Sequence, residues 1–158
     1  MILQIKQQEQ KEQICKEILS TLPEWFGIPE STNEYIKESG NSPFWADIEH
    51  DIIRGFLALK ETSPYTAEIL VMGVKPEFHR QNIGKELFHA CYKDTKQKGY
   101  EFLQVKTVAT GYYEIYDRTN AFYKSLGFKE FECLPTLWCK ENPCQIYIMS
   151  LKDNDTIK

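Results

Sequence analysis

The sequence predicts an α/β chain, a mixed central sheet of about seven strands with helices on both faces. Three observations carry this. Apolar residues recur at helical spacing in four segments and at strand spacing in seven others. Two helical segments are closed by glycine. A helix also separates the strand runs Thr66–Val74 and Phe102–Val108. A strand–helix–strand crossover of that kind makes the two strands parallel.

Residues 2–5 alternate apolar and polar, a short strand. Over 9–22, Ile14, Cys15, Ile18, Leu19 and Leu22 share one helix face, and Pro23 closes the run. A loop with Trp25 and Phe26 leads to a helix over 31–38, with Ser31 as N-cap and Glu34 completing a capping box. The period then shortens. Phe44–Glu49, 52–60 and Thr66–Val74 read as an antiparallel meander, with His50-Asp51 joining the first two strands. Ile83, Leu87, Ala90 and Cys91 make one stripe of a helix over 82–98, which Gly99 stops. Phe102–Val108 is the next strand. A helix over 116–126 ends at Gly127, and strands over 128–135 and 145–151 close the order. One domain spans 1–152 and a polar tail follows over 153–158.

Composition narrows the function. Hydrophobic residues make up 42% and charged residues 27%, which excludes a disordered or low-complexity chain. The formal charge of -4 offers no basis for binding duplex nucleic acid or an anionic membrane. No apolar run reaches the length of a membrane span. The first 13 residues carry five glutamines, unlike a secretory signal. An odd count of five cysteines suits free thiols in a cytoplasmic setting. Cys139 and Cys144 lack nearby histidines to complete a zinc set, so no metal is expected.

The segment 67–87 carries the chemistry. It runs strand, turn, helix start, with Lys75, His79, Arg80 and Lys85 around the turn and Asn82 inside it. Asn tolerates positive φ, and a helix N-terminus presents N–H groups and partial positive charge. This is an anion site that suits a pyrophosphate. An ordinary strand-to-helix turn has the same outline.

His79-Arg80-Gln81-Asn82-Ile83-Gly84, after Met72-Gly73-Val74-Lys75-Pro76, resembles the [QR]-x-x-G-x-[GA] signature of the GNAT superfamily of acetyl-CoA-dependent N-acetyltransferases. His79 replaces the Gln or Arg, and Asn82 replaces the first glycine. A second segment, Ala121-Phe122-Tyr123-Lys124-Ser125-Leu126-Gly127-Phe128, resembles the same family's F-Y-x-x-L-G-F run. The likeness covers about 44–151. It implies a GNAT-like fold in which the strands Thr66–Val74 and Phe102–Val108 splay apart around acetyl-CoA, with Met72 and Val74 holding the pantetheine. His79, Arg80, Gln81, Asn82, Ile83, Gly84 and Lys85 would form the pyrophosphate turn.

The implied reaction is direct attack of a primary amine on the thioester. It needs a base for the amine and an acid for the leaving thiolate. Tyr123 matches the family tyrosine that reaches the sulfur; a core aromatic is the plainer reading of the same residue. Glu68 matches the glutamate some members use as base. It lies six residues before Val74, about 20 Å along an extended strand, so a water relay is implied. A solvent-facing strand glutamate is the alternative, and Glu24 and Glu114 are rival bases. The acceptor pocket is expected from Trp25, Tyr112, Tyr113, Glu114 and the 134–138 segment with Trp138, aromatic surfaces that suit a small amine. Packing of these loops over the sheet is the competing account. Two other functions fit the pattern: an acetyl-CoA-binding regulatory domain without turnover, and an acetyltransferase of protein N-termini or lysines. A homodimer is possible by analogy.

Overall fold

The computed structural model describes residues 1–152; the predicted tail lies outside them. Seven strands form one sheet in the order β1-β2-β3-β4-β5-β7-β6. They are β1 Ile2–Gln4, β2 Phe44–Glu49, β3 Ile52–Ser63, β4 Thr66–Val74, β5 Phe102–Val108, β6 Lys129–Cys139 and β7 Asn142–Ser150. The helices are α1 Gln8–Ser20, α2 Pro29–Gly40, α3 Ile83–Gln97 and α4 Glu114–Ser125. The described residues divide into two compact units: Met1–Lys60 with Ile69–Thr95, and Glu61–Glu68 with 96–152.

In the first unit β1, β2 and β3 are antiparallel neighbours. His50 and Asp51 both take positive φ, 49° and 64°. That is the backbone of a two-residue hairpin turn whose twist matches the strands it joins. The predicted α1 stripe is buried: Ile14, Cys15, Ile18, Leu19 and Leu22 pack with Phe44, Ala46, Phe56, Ala58 and Val71. Burying each isoleucine, leucine, valine or phenylalanine of this set contributes about 1.5–3 kcal/mol. Helices cover both faces here. A Cβ on Gly73 would come within 2.8 Å of Leu22 in the chain that follows α1, and a Cβ on Gly55 within 3.3 Å of Ile83 on α3. Gly73 therefore lets the α1 side press against the strand between Met72 and Val74.

The start of α2 differs from the expected capping box. The helix begins at Pro29, Ile28 is its N-cap, and no side chain caps it. Proline at the first helical position is already set to a helical φ, so Ser31 falls inside the first turn.

In the second unit β5 pairs antiparallel with β7, and β7 with β6. β6 is longer than predicted and runs through Pro135. An edge strand tolerates a residue without an N–H. Gly99 and Gly127 end their helices with φ of 88° and 105°, as their positions predict.

Candidate active site

The turn after β4 combines two left-handed residues with the start of α3. Lys75 donates its backbone N–H to Arg54 O at 2.9 Å as the strand ends. A short 3₁₀ turn, Pro76–Phe78, follows. The His79 ring then reaches back, its Nε2 2.7 Å from the Val74 carbonyl. Arg80 and Asn82 both sit at φ 64°. The Asn82 carbonyl accepts the Glu86 N–H at 2.9 Å, which makes Asn82 the residue that opens α3. The N–H groups of Ile83, Gly84 and Lys85 are thus first-turn donors beyond the reach of the helix's own carbonyls. Asn82 takes the left-handed backbone that a glycine would, so replacing that glycine preserves the turn. Ile83, 3% exposed, anchors the turn in the core. Lys75 is matched locally by Glu17, 2.6 Å away. The positive side chains left around the turn are the exposed Arg80 and Lys85.

Glu68 is not a solvent-facing strand glutamate. It is 4% exposed. Gln104 Nε2 donates to its Oε1 at 2.5 Å, and Lys106 Nζ lies 3.3 Å from the same oxygen. Close by, burial pushes the Cys144 thiol up to about 11, while Lys106 draws it down. Gln104 and Lys106 alternate along β5, so both occupy one face of that strand. Polar side chains at 104 and 106 on a strand face otherwise made of Phe102 and Val108 are the signal for them, one that the spacing alone did not turn into a role.

Tyr123 is 7% exposed, its ring set beside those of Phe128 at 5.9 Å and Tyr147 at 6.2 Å. One turn earlier on α4, Asn120 is 1% exposed. Its Nδ2 donates to Val108 O at 2.8 Å and Tyr116 O at 2.6 Å, and its Oδ1 accepts from Tyr147 Oη at 2.5 Å. Burial raises the Tyr147 phenol above its ordinary value. Asn120 therefore ties α4 to the end of β5 and to β7. A lone polar residue on the apolar stripe of Tyr116, Asn120 and Tyr123 was the signal for it.

Of the expected acceptor residues, Trp25 belongs to the first unit and Tyr112, Tyr113, Glu114 and Trp138 to the second. Trp25 sets its ring edge-on to His79 at 6.4 Å and packs with Phe26 against the α1 core. Tyr113 opens α4, stands 6.0 Å from the Tyr116 ring and donates to Glu141 O at 3.4 Å. Tyr112 and Trp138 are 56% and 45% exposed. Glu24 and Glu114 are both exposed. Among the described residues no cluster of three or more His, Cys, Asp or Glu could hold a metal, and no helix is long and apolar enough to cross a membrane.

Solved structures share this fold. A GNAT-family acetyltransferase from Desulfovibrio desulfuricans superposes with a TM-score of 0.81 at 17% identity, covering 96% of this chain and 100% of that one. An aminoglycoside 6'-N-acetyltransferase in complex with coenzyme A gives 0.76 at 17%, covering 98% of each. In sequence, the N-acetyltransferase YsnE of Bacillus subtilis is 27% identical over 123 residues, 76% of this chain and 78% of its own length. The Acetyltransferase (GNAT) domain family matches residues 40–130, more than half of the chain. With the sheet order, the α3 turn and this match together, the chain belongs to the GNAT acetyltransferase family and is an acyltransferase.

Proposed function

We propose that this chain transfers the acetyl group of acetyl-CoA to a primary amine on a small molecule. The observation that supports this most is the turn at α3, where Arg80 and Asn82 adopt positive φ and three first-turn N–H groups follow. Such a turn suits a pyrophosphate. In this reading Arg80, Gln81 and Lys85 surround the phosphates, His79 holds the turn, and backbone groups of Met72 and Val74 bind the pantetheine arm. The five free thiols suit a reducing, cytoplasmic setting.

The amine nitrogen attacks the thioester carbon, a C–N bond forms and the C–S bond breaks. An alkyl amine is mostly protonated near neutral pH, with a pKa of about 10. Glu68 takes its proton through water. Tyr123 gives its phenolic proton to the departing sulfur, its phenolate takes the second proton that the acylated nitrogen sheds, and an amide and the CoA thiol leave. Tyr112, Tyr113 and Glu114, at the start of α4, contact the acceptor, the aromatic faces attracting its cationic form before deprotonation.

Thiol release from acetyl-CoA across a panel of small amines and peptide N-termini tests this reading. Turnover should concentrate on a small amine. Tyr123→Phe should lose about 100-fold in kcat while coenzyme A binding stays unchanged. A panel with no thiol release above buffer overturns the proposal, and preference for peptides overturns the acceptor class.

A further inference from the structure

We propose that Lys106 is a positioning residue for the acetyl transfer, acting with Gln104 through Glu68. This rests on the reading of Glu68 as the base. The Glu68 side chain is 5% exposed and that of Lys106 is 30% exposed. The Lys106 ammonium and the Gln104 amide converge on one oxygen, Oε1, at 3.3 and 2.5 Å. Two donors on one oxygen set the rotation of the carboxylate plane, which an isolated glutamate would leave loose, since its terminal torsion is broad. A proton acceptor works only when its lone pairs meet the proton at hydrogen-bonding distance, so this rotation decides how well Glu68 serves.

The two donors come from alternate positions of β5, and each is placed by the pairing of β5 with β7. Gln104 stands opposite Ile148 and Lys106 opposite Ile146. Val108 and Cys144 are paired further along the same face. Lys106 thus leaves an apolar strand environment to meet a buried carboxylate and still reaches water at its own end. A partly exposed ammonium on a buried anion also compensates the charge. Removing Lys106 leaves the Gln104 bond but takes the opposite charge away from the buried carboxylate.

The experiment is a double-mutant cycle on the amine found by thiol release. Lys106→Met should lower kcat by about tenfold, a part of the rate a positioned base supplies, with the KM for acetyl-CoA unchanged. Lys106→Arg should restore most of the rate. In a Glu68→Gln background, Lys106→Met should cost nothing further, because coupled residues are not additive. If Lys106→Met does not fold, Gln104→Leu enters the same cycle with the same expectation. A silent Glu68→Gln removes the base reading itself. A crippled Glu68→Gln beside an unaffected Lys106→Met or Gln104→Leu, or equal losses in both backgrounds, overturns the inference and leaves the base in place.

Discussion

The Nε2 of His79 lies 2.7 Å from the carbonyl oxygen of Val74. A carbonyl can only accept, so Nε2 carries the proton. The bond closes the 3₁₀ turn on itself and ties the end of β4 to the residue before the left-handed Arg80. Trp25 borders the same ring. His79→Ala should weaken coenzyme A binding about fivefold, the value of one hydrogen bond of about 1 kcal/mol. His79→Gln, which can still donate, should recover most of it. Calorimetric titration with coenzyme A decides; an unchanged affinity in the alanine variant removes the ring from the construction of the site.

Asn82 sits at φ 64°, a left-handed backbone that tolerates a branched side chain poorly. Asn82→Gly should keep both stability and coenzyme A affinity. Asn82→Val should lose about 1–2 kcal/mol, the cost of a left-handed conformation, and bind coenzyme A weakly. Gly84→Val, inside the first turn of α3, should fold and lose binding by obstructing the phosphates. Thermal melts beside titrations separate the two effects.

Asn120 satisfies two carbonyls and a phenol at a buried point. Asn120→Leu should cost at least about 2 kcal/mol, since orphaned buried polar groups cost about 1–3 kcal/mol each. Tyr147→Phe removes one donor and should cost about 1 kcal/mol. Urea unfolding midpoints check the ranking; equal stability for all three proteins would show that α4 is held by apolar packing alone.

Burial raises the Cys15 and Cys144 thiols from 9.0 to about 11. The folded state then holds the proton more tightly than the unfolded chain. Stability from these two groups is present below pH 9 and declines as pH rises from 9 towards 11. The neutral buried thiols should also resist iodoacetamide at pH 8, with the exposed Cys133 labelling first. Mass-mapped labelling of native and unfolded protein measures this, and early loss of Cys15 or Cys144 would contradict it.

Much of this protein is local, and what is local was legible. The α1 stripe, the stops at Gly99 and Gly127, the His50-Asp51 turn and the Asn82 turn all follow from spacing and backbone preference within a few residues. They need no knowledge of what lies across the sheet. The start of α2 is an exception, where the set φ of Pro29 outcompeted the capping pattern at Ser31, and the strand ends at β3, β6 and β7 are others.

The insertion of β7 between β5 and β6 was decided by tertiary structure. So were the partners that pairing delivers: Gln104 and Lys106 to Glu68, and Tyr147 to Asn120. The sequence by itself determined which residues form helices and strands, which faces are buried and where a left-handed turn opens α3, because periodicity and turn chemistry act through neighbours in the chain. Only the tertiary structure decided which polar side chain meets which carboxylate, because a cross-strand partner depends on strand order and register. A register shift of one residue turns every side chain to the opposite face, and no spacing within a single strand encodes that choice.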